Sequence, residues 1–152
     1  QMQSNTDIMK KYYNIGIAVD TEDGLMVPNV KNADQKSVLE IAREISELAD
    51  KARSKKLSVD DMQQGTITIT NPGPIGGLFT DPVINWPEVA IMGEHKIVKR
   101  PVVKNGQIAV ADMVYFSLTV DHRVVDGATA ARFMNVVIDY LANPKKMMLD
   151  MA

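Results

Sequence analysis

Cysteine is absent from the 152 residues, which excludes disulfide staples, thiolate zinc sites and a cysteine nucleophile. Neither sign of charge dominates: 17 Lys and Arg face 19 Asp and Glu, for a net charge of −2. A broad nucleic-acid footprint needs a clear basic excess or stripe, so no nucleic-acid partner is expected. Long apolar runs are missing too. Stretches such as Met113–Phe116 reach four residues, far short of the ~18 that span a bilayer, so no membrane partner is expected either. Gln1–Thr6 is polar and lacks the apolar centre of a signal peptide. What is present is an ordinary soluble composition, 45% apolar and 24% charged. The length suits one domain that hides roughly 68–70% of its unfolded surface.

Residues 1–11 carry no pattern and read as a tail or a cut end. Tyr13–Val19 reads as a strand ended by the turn residues Asp20–Gly24, and Met26–Val30 as a second extended run. Val38, Ile41, Ala42, Ile45, Leu48, Ala49 and Ala52 form one stripe at helical period. With Asp34 or Ser37 as cap, that stripe predicts a helix over 37–54, whose end suits the basic residues of Lys51–Lys56. Thr66–Thr70 alternates strictly, as a strand does. Asn71–Pro87 holds four of the seven prolines and must be a structured loop. Val89–Met92 is a short strand, and Val98–Lys104 and Gln107–Val110 flank Asn105-Gly106, a strong hairpin signal. Val114–Val120 alternates as a strand buried on one face. A helix over 126–142 follows, with Ala130, Phe133, Met134, Val137, Ile138 and Leu141 as its stripe and Asn143-Pro144 as its stop. The expected fold class is α/β (α+β): a two-layer sandwich, a mixed β-sheet with helices on one face.

The chain has two histidines. His95 sits in a polar connection between Glu94 and Lys96 and receives no role. His122 follows the last strand directly; continued alternation would turn it toward the apolar face of Phe116, Leu118 and Val120. Asp121, Arg123, Asp126 and Gly127 crowd the same corner. Asp126 is a preferred N-cap, and a turn just before a helix favours a residue without Cβ, such as Gly127. On the residues alone, a hydrogen-bonded, partly buried histidine is the plainer reading of His122. A strand-end threonine is the plainer reading of Thr70.

Larger blocks carry more. Asp121–Gly127 (DHRVVDG) resembles the signature of the dihydrolipoamide acyltransferases, core subunits of the 2-oxo acid dehydrogenase complexes, related in fold to chloramphenicol acetyltransferase. Tyr12–Pro28, Thr66–Gly77 and Phe79–Gly93 resemble further blocks of that family, in the family's order. The resemblance implies that residues 12–152 form the larger, C-terminal part of the acyltransferase catalytic domain. Its N-terminal portion would be lacking, as would any lipoyl or subunit-binding domain.

It further implies a general base at His122, taking the proton of the coenzyme A thiol. Thr70 would be the oxyanion hydroxyl, where many relatives carry serine. Asp126, with Arg123 and Gly127, would hold the motif's shape. Asn85 would lie beside the site, and Gly76 and Gly77 would let a ligand approach the backbone, though a turn is their simpler reason. Coenzyme A enters as a substrate, the lipoyl group rides on a domain absent from this chain, and no metal is implied. Lys96, Lys99, Arg100 and Lys104 form a basic run, but lysines on a hairpin edge guard against aggregation, so no phosphate ligand is assigned.

The implied partners are two further copies in a homotrimer, a larger cage of trimers, and the decarboxylase and dihydrolipoamide dehydrogenase subunits of the complex. The implied location is cytoplasmic, or the mitochondrial matrix in a eukaryote. The apolar segment Met147–Ala152 suits burial in such an assembly or on its own domain. The acyl group reads as acetyl or branched-chain. Two rival readings are an assembly core without catalysis and a chloramphenicol acetyltransferase-like acetylation of a small alcohol.

Overall fold

The computed structural model of the chain describes residues 2–3 and 6–150; Gln1, Ser4, Asn5, Met151 and Ala152, in the two terminal segments, lie outside it. Two short strands, β1 (Met2–Gln3) and β2 (Thr6–Asp7), pair with each other and with no other strand among the described residues. The strand expected over Tyr13–Val19 is β3 (Ile15–Ile17), which ends at Ala18, whose N–H donates to the Ile69 carbonyl at 2.9 Å; β4 (Val19–Thr21) then takes in Asp20 and Thr21, which were expected in the turn. β4 pairs back on β5 (Gly24–Met26), and β6 (Asn29–Val30) follows. Helix α1 (Val38–Arg53) starts on Ser37, which forms a full capping box with Glu40. A single-turn helix, α2 (Val59–Met62), leads into β7 (Ile67–Thr70).

After a long crossover come β8 (Ala90–Glu94) and the hairpin of β9 (Val98–Lys104) and β10 (Gln107–Met113). Asn105 and Gly106 take φ of 53° and 77° at its turn, the left-handed pair that a tight hairpin demands. The hairpin pairs with no other strand among the described residues. β11 (Phe116–Val120), α3 (Gly127–Ala142) and α4 (Pro144–Asp150) end the fold.

The frame is a mixed five-stranded sheet in the order β11–β8–β7–β3–β6, parallel at β8–β7 and β7–β3 and antiparallel at its two flanks. α1 packs on β6 and β4, and α3 on β11, at opposite edges. Parallel neighbours need a crossover of a dozen residues or more, usually a helix. Between β3 and β7 that crossover carries α1; between β7 and β8 it is the proline-rich loop, with one short turn at Gly73–Ile75. Composition explains the substitution, since prolines cannot sustain a helix interior.

Val19, Val30, Leu48, Ala52 and Ile91, with Pro28, are the buried apolar side chains among the described residues. The stripe of α1 is buried at Leu48 and Ala52 but leaves Val38 in solvent, while α3 buries no residue fully and exposes Phe133, Ile138 and Leu141 of its stripe. The accessible surface is 10603 Å², where a folded monomer of this mass exposes about 7,700 Å². The amphipathic pattern is therefore right, and the surface it was meant to meet is not supplied by the described chain. No described helix is long and apolar enough to cross a membrane.

Ser37→Ala removes the side-chain oxygen that accepts the Glu40 N–H at 3.3 Å. The variant should lose about 0.5–2 kcal/mol, read as a lower denaturant midpoint at unchanged slope.

Candidate active site

Thr70 is the last residue of β7, and its hydroxyl has no hydrogen-bond partner among the described residues. It faces a cavity of about 460 Å³ whose walls are mainly apolar, including Leu25, Val27, Val83, Ile84 and Ile91, with Thr68, Thr80 and Asn85 as further polar groups. The walls are apolar but open in the single chain, with Leu25 and Val83 largely exposed; a hydroxyl there acts on a developing negative charge with little screening only where further surface covers the cavity.

Thr68 and Asn85 of the cavity wall join a buried polar cluster centred on Glu88, a residue with no expected role. The threonine face of β7 is the more deeply buried: Thr68 has no exposed surface and donates its hydroxyl hydrogen to Glu88 Oε2 at 2.7 Å. Asn85 Nδ2 donates to Glu88 Oε1 at 3.4 Å, so Asn85 both lines the cavity and steadies the acid. Burial pushes the Glu88 carboxyl above the usual carboxylate range, against the opposing pull of the Thr68 and Asn85 hydrogen bonds and of Lys10. The Asn29 side-chain oxygen, buried beside it, has no partner among the described residues. Only the lone acid ahead of the apolar run Val89–Met92 hinted at this in the sequence.

His122 stands in a turn, not on the strand. β11 stops at Val120, so the expected alternation toward the apolar face does not reach His122, which is exposed. Arg123 donates to Asp121 through Nε at 2.9 Å and Nη2 at 2.6 Å, and this pairing pushes the Asp121 carboxyl down to about 2. Arg123 is thus held by Asp121 and not by Asp126. Asp126 caps α3, accepting the Thr129 N–H at 2.6 Å, and that bond first, with a smaller attraction to His122, keeps its carboxyl ionised. Stability from this cap is present above the ordinary aspartate range and is lost as pH falls through the lowered value.

The glycines divide differently from expectation. Gly76 sits at φ 104°, ending the short turn, and the Gly77 carbonyl accepts the Lys96 N–H at 2.8 Å; neither lines the Thr70 cavity. At Gly127 a Cβ would meet nothing within 4 Å and φ is ordinary, so this chain gives no steric reason for glycine there. Of the basic run, Lys99 pairs with Asp112 at 2.9 Å and Arg100 lies 5.1 Å over the Tyr115 ring, which leaves Lys96 and Lys104.

Thr70 and His122 lie far apart within the chain. Thr70 pairs with Gly93, and Gly93 with Ser117, so these three mark one line across the sheet. From that line β11 runs away toward Val120. This sets the corner holding His122 roughly 10 Å along the strand and roughly 10 Å across the sheet from Thr70. A base that takes a thiol's proton and a hydroxyl that meets the carbonyl oxygen under attack by that thiol must stand within a few bond lengths of each other. One copy cannot do this with its own two groups.

Residues 1–149 match the family model for the 2-oxoacid dehydrogenases acyltransferase (catalytic domain). The chain is 49% identical over 143 residues to the dihydrolipoyllysine-residue acetyltransferase component of the Staphylococcus aureus pyruvate dehydrogenase complex, covering 94% of this chain and 33% of that one. It therefore spans about a third of the length of that curated relative. Among solved structures it resembles the Azotobacter vinelandii dihydrolipoamide acetyltransferase, studied for the role of one serine, one histidine and one asparagine in its catalytic mechanism (TM-score 0.89, 50% identity, 93% of this chain and 58% of that one). It also resembles the cubic core of a pyruvate dehydrogenase multienzyme complex (TM-score 0.88, 49% identity, 91% and 57%).

The buried carboxyl sets a pH dependence. With its folded value raised, Glu88 favours the fold below the ordinary glutamate range, and that contribution is lost as pH rises through the raised value. Glu88→Gln, which imitates the protonated acid, should flatten that decline. Melting curves from pH 4 to 8 would show it, and an unchanged slope would remove Glu88 as the cause.

Proposed function

Because the chain belongs to the 2-oxoacid dehydrogenase acyltransferase family, in its catalytic domain, we propose that it transfers an acetyl group between dihydrolipoamide and coenzyme A. Each site would take His122 from one copy and Thr70 from another. One observation carries this reading. In the Azotobacter vinelandii relative the named serine, histidine and asparagine are separated by fifty-two and by four residues, the spacing of Thr70, His122 and Asp126 here. The hydroxyl is kept with an added methyl group, and the asparagine is replaced by aspartate.

The chemistry follows from these groups. The His122 imidazole takes the proton of the coenzyme A thiol, and the thiolate attacks the carbonyl carbon of the acyl-dihydrolipoyl thioester. The oxygen that becomes negative accepts a hydrogen bond from the Thr70 hydroxyl beside the apolar walls of its cavity. The tetrahedral centre then collapses, the bond from carbon to the lipoyl sulfur breaks, and the imidazolium returns its proton to that sulfur. Asp126 holds the turn carrying His122 by capping α3 and stays outside the proton path.

Separation of Thr70 from His122 within one copy and the surplus of exposed apolar surface both favour a homotrimer with shared sites, and larger assembly from it. Lipoyl domains, the decarboxylase and the dihydrolipoamide dehydrogenase would be the working partners, in the cytoplasm or the mitochondrial matrix.

His122→Ala and Thr70→Ala chains should each be nearly inactive with dihydrolipoamide and acetyl-coenzyme A. Refolded together, they should regain activity in about one quarter of the sites, because random mixing in a symmetric trimer reunites both groups that often. No recovery on mixing, with each parent silent and assembled, would overturn the shared site. Acetylation of chloramphenicol in place of dihydrolipoamide would favour the small-alcohol reading, and silence of the unchanged chain with both acceptors the assembly-core reading.

Asp126→Asn restores the relative's residue type and keeps a good N-cap. It should retain the melting temperature and most of the turnover. A loss of turnover at constant melting temperature would assign the carboxylate charge a role in the reaction.

A further inference from the structure

His95 is 2% exposed, although it follows β8 in a stretch of polar residues. Its Nε2 accepts the backbone N–H of Thr80 at 3.2 Å. An acceptor nitrogen carries no proton, so in the neutral ring the proton sits on Nδ1. Nδ1 is buried and has no partner among the described residues, and the same is true of Ser117 Oγ on the adjoining strand. Gly93 separates them: a Cβ there would stand 2.6 Å from Ser117 Oγ, 2.9 Å from His95 Cε1 and 3.6 Å from Nδ1. The imidazole therefore lies against the Gly93–Ser117 pair and reaches from the sheet to the crossover loop. Its own backbone continues the attachment, as the His95 N–H donates to the Tyr115 carbonyl at 3.1 Å and the Lys96 N–H to the Gly77 carbonyl at 2.8 Å.

The position of this strut decides what it does. Gly93 is the register partner of Thr70, so the ring stands on the line across the sheet that carries the oxyanion hydroxyl. Thr80, the residue it grips, lines the Thr70 cavity, as do Pro82, Val83 and Asn85 beyond it. Loops without regular ladders hold their shape by isolated anchors such as this one, and only the short turn at Gly73–Ile75 stiffens this loop from within.

We propose that His95 is a positioning residue, its buried imidazole tethering the Thr80 amide so that the Pro82–Asn85 wall of the cavity stays set around the substrate beside Thr70. The effect on substrate rests on the acyl-transfer reading; the tether itself does not.

The test compares His95→Phe, which keeps a ring without an acceptor, with His95→Gln, whose side-chain oxygen reaches as far as Nε2. Amide hydrogen exchange on the assembled protein should show the Thr80 amide losing about fivefold or more of its protection in the Phe variant, what one hydrogen bond controls. Met92 and Leu118 in the sheet should keep theirs, and the Gln variant should restore Thr80. In acyl transfer, KM for dihydrolipoamide should rise in the Phe variant with kcat little changed, and fall back in the Gln variant. Unchanged Thr80 protection in the Phe variant, equal loss across Met92 and Leu118 in both variants, or a fall in kcat at constant KM would each overturn the proposal. If the unchanged chain transfers no acyl group, the acyl-transfer reading fails, while Thr80 exchange still decides the tether.

Discussion

A carboxyl group buried in the middle of a sheet has to be hydrogen-bonded, and the hydrogen bond from Thr68 to Glu88 meets that demand here. Thr68 sits on β7, the central strand, and Glu88 ends the crossover that delivers the chain to β8. Removing Glu88 would leave the Thr68 hydroxyl buried and unpaired, which costs more than the bond itself contributes. The bond thereby fixes where the proline-rich loop must finish, and with it the walls of the cavity beside Thr70. Asn85, three residues before Glu88, is pulled into the same cluster, so the polar cluster and the apolar walls are set together.

The sheet that results is short of cover. Its parallel centre needs both faces protected, as parallel strands do, yet α3 leaves half of its apolar stripe in water and the β9–β10 hairpin stands apart from the sheet. The surplus of roughly 2,900 Å² over a self-sufficient monomer is of the size that obligate assemblies hide.

Helix positions, the Asn105-Gly106 turn and the caps at Ser37 and Asp126 were legible in the sequence because each rests on neighbours a few residues away. The break at Ala18 was not, because it depends on a bond to Ile69, far along the chain. His122 was legible as a motif just past the strand, but its exposure was not, since alternation does not say whether it continues beyond a strand's end. Glu88 and His95 were invisible: both look polar and exposed in their local context, and only long-range pairing buries them. Thr70 was found through resemblance, whereas its cavity is built by a loop whose course no periodicity encodes.

The distance between Thr70 and His122 within one copy has a consequence for the life of the chain. On the acyl-transfer reading, a newly made copy holds a base with no oxyanion donor opposite and a donor with no base. It is chemically silent toward thioesters until it meets its neighbours. Assembly then acts as the on-switch, and no acyl group is squandered on water by a wandering half-site.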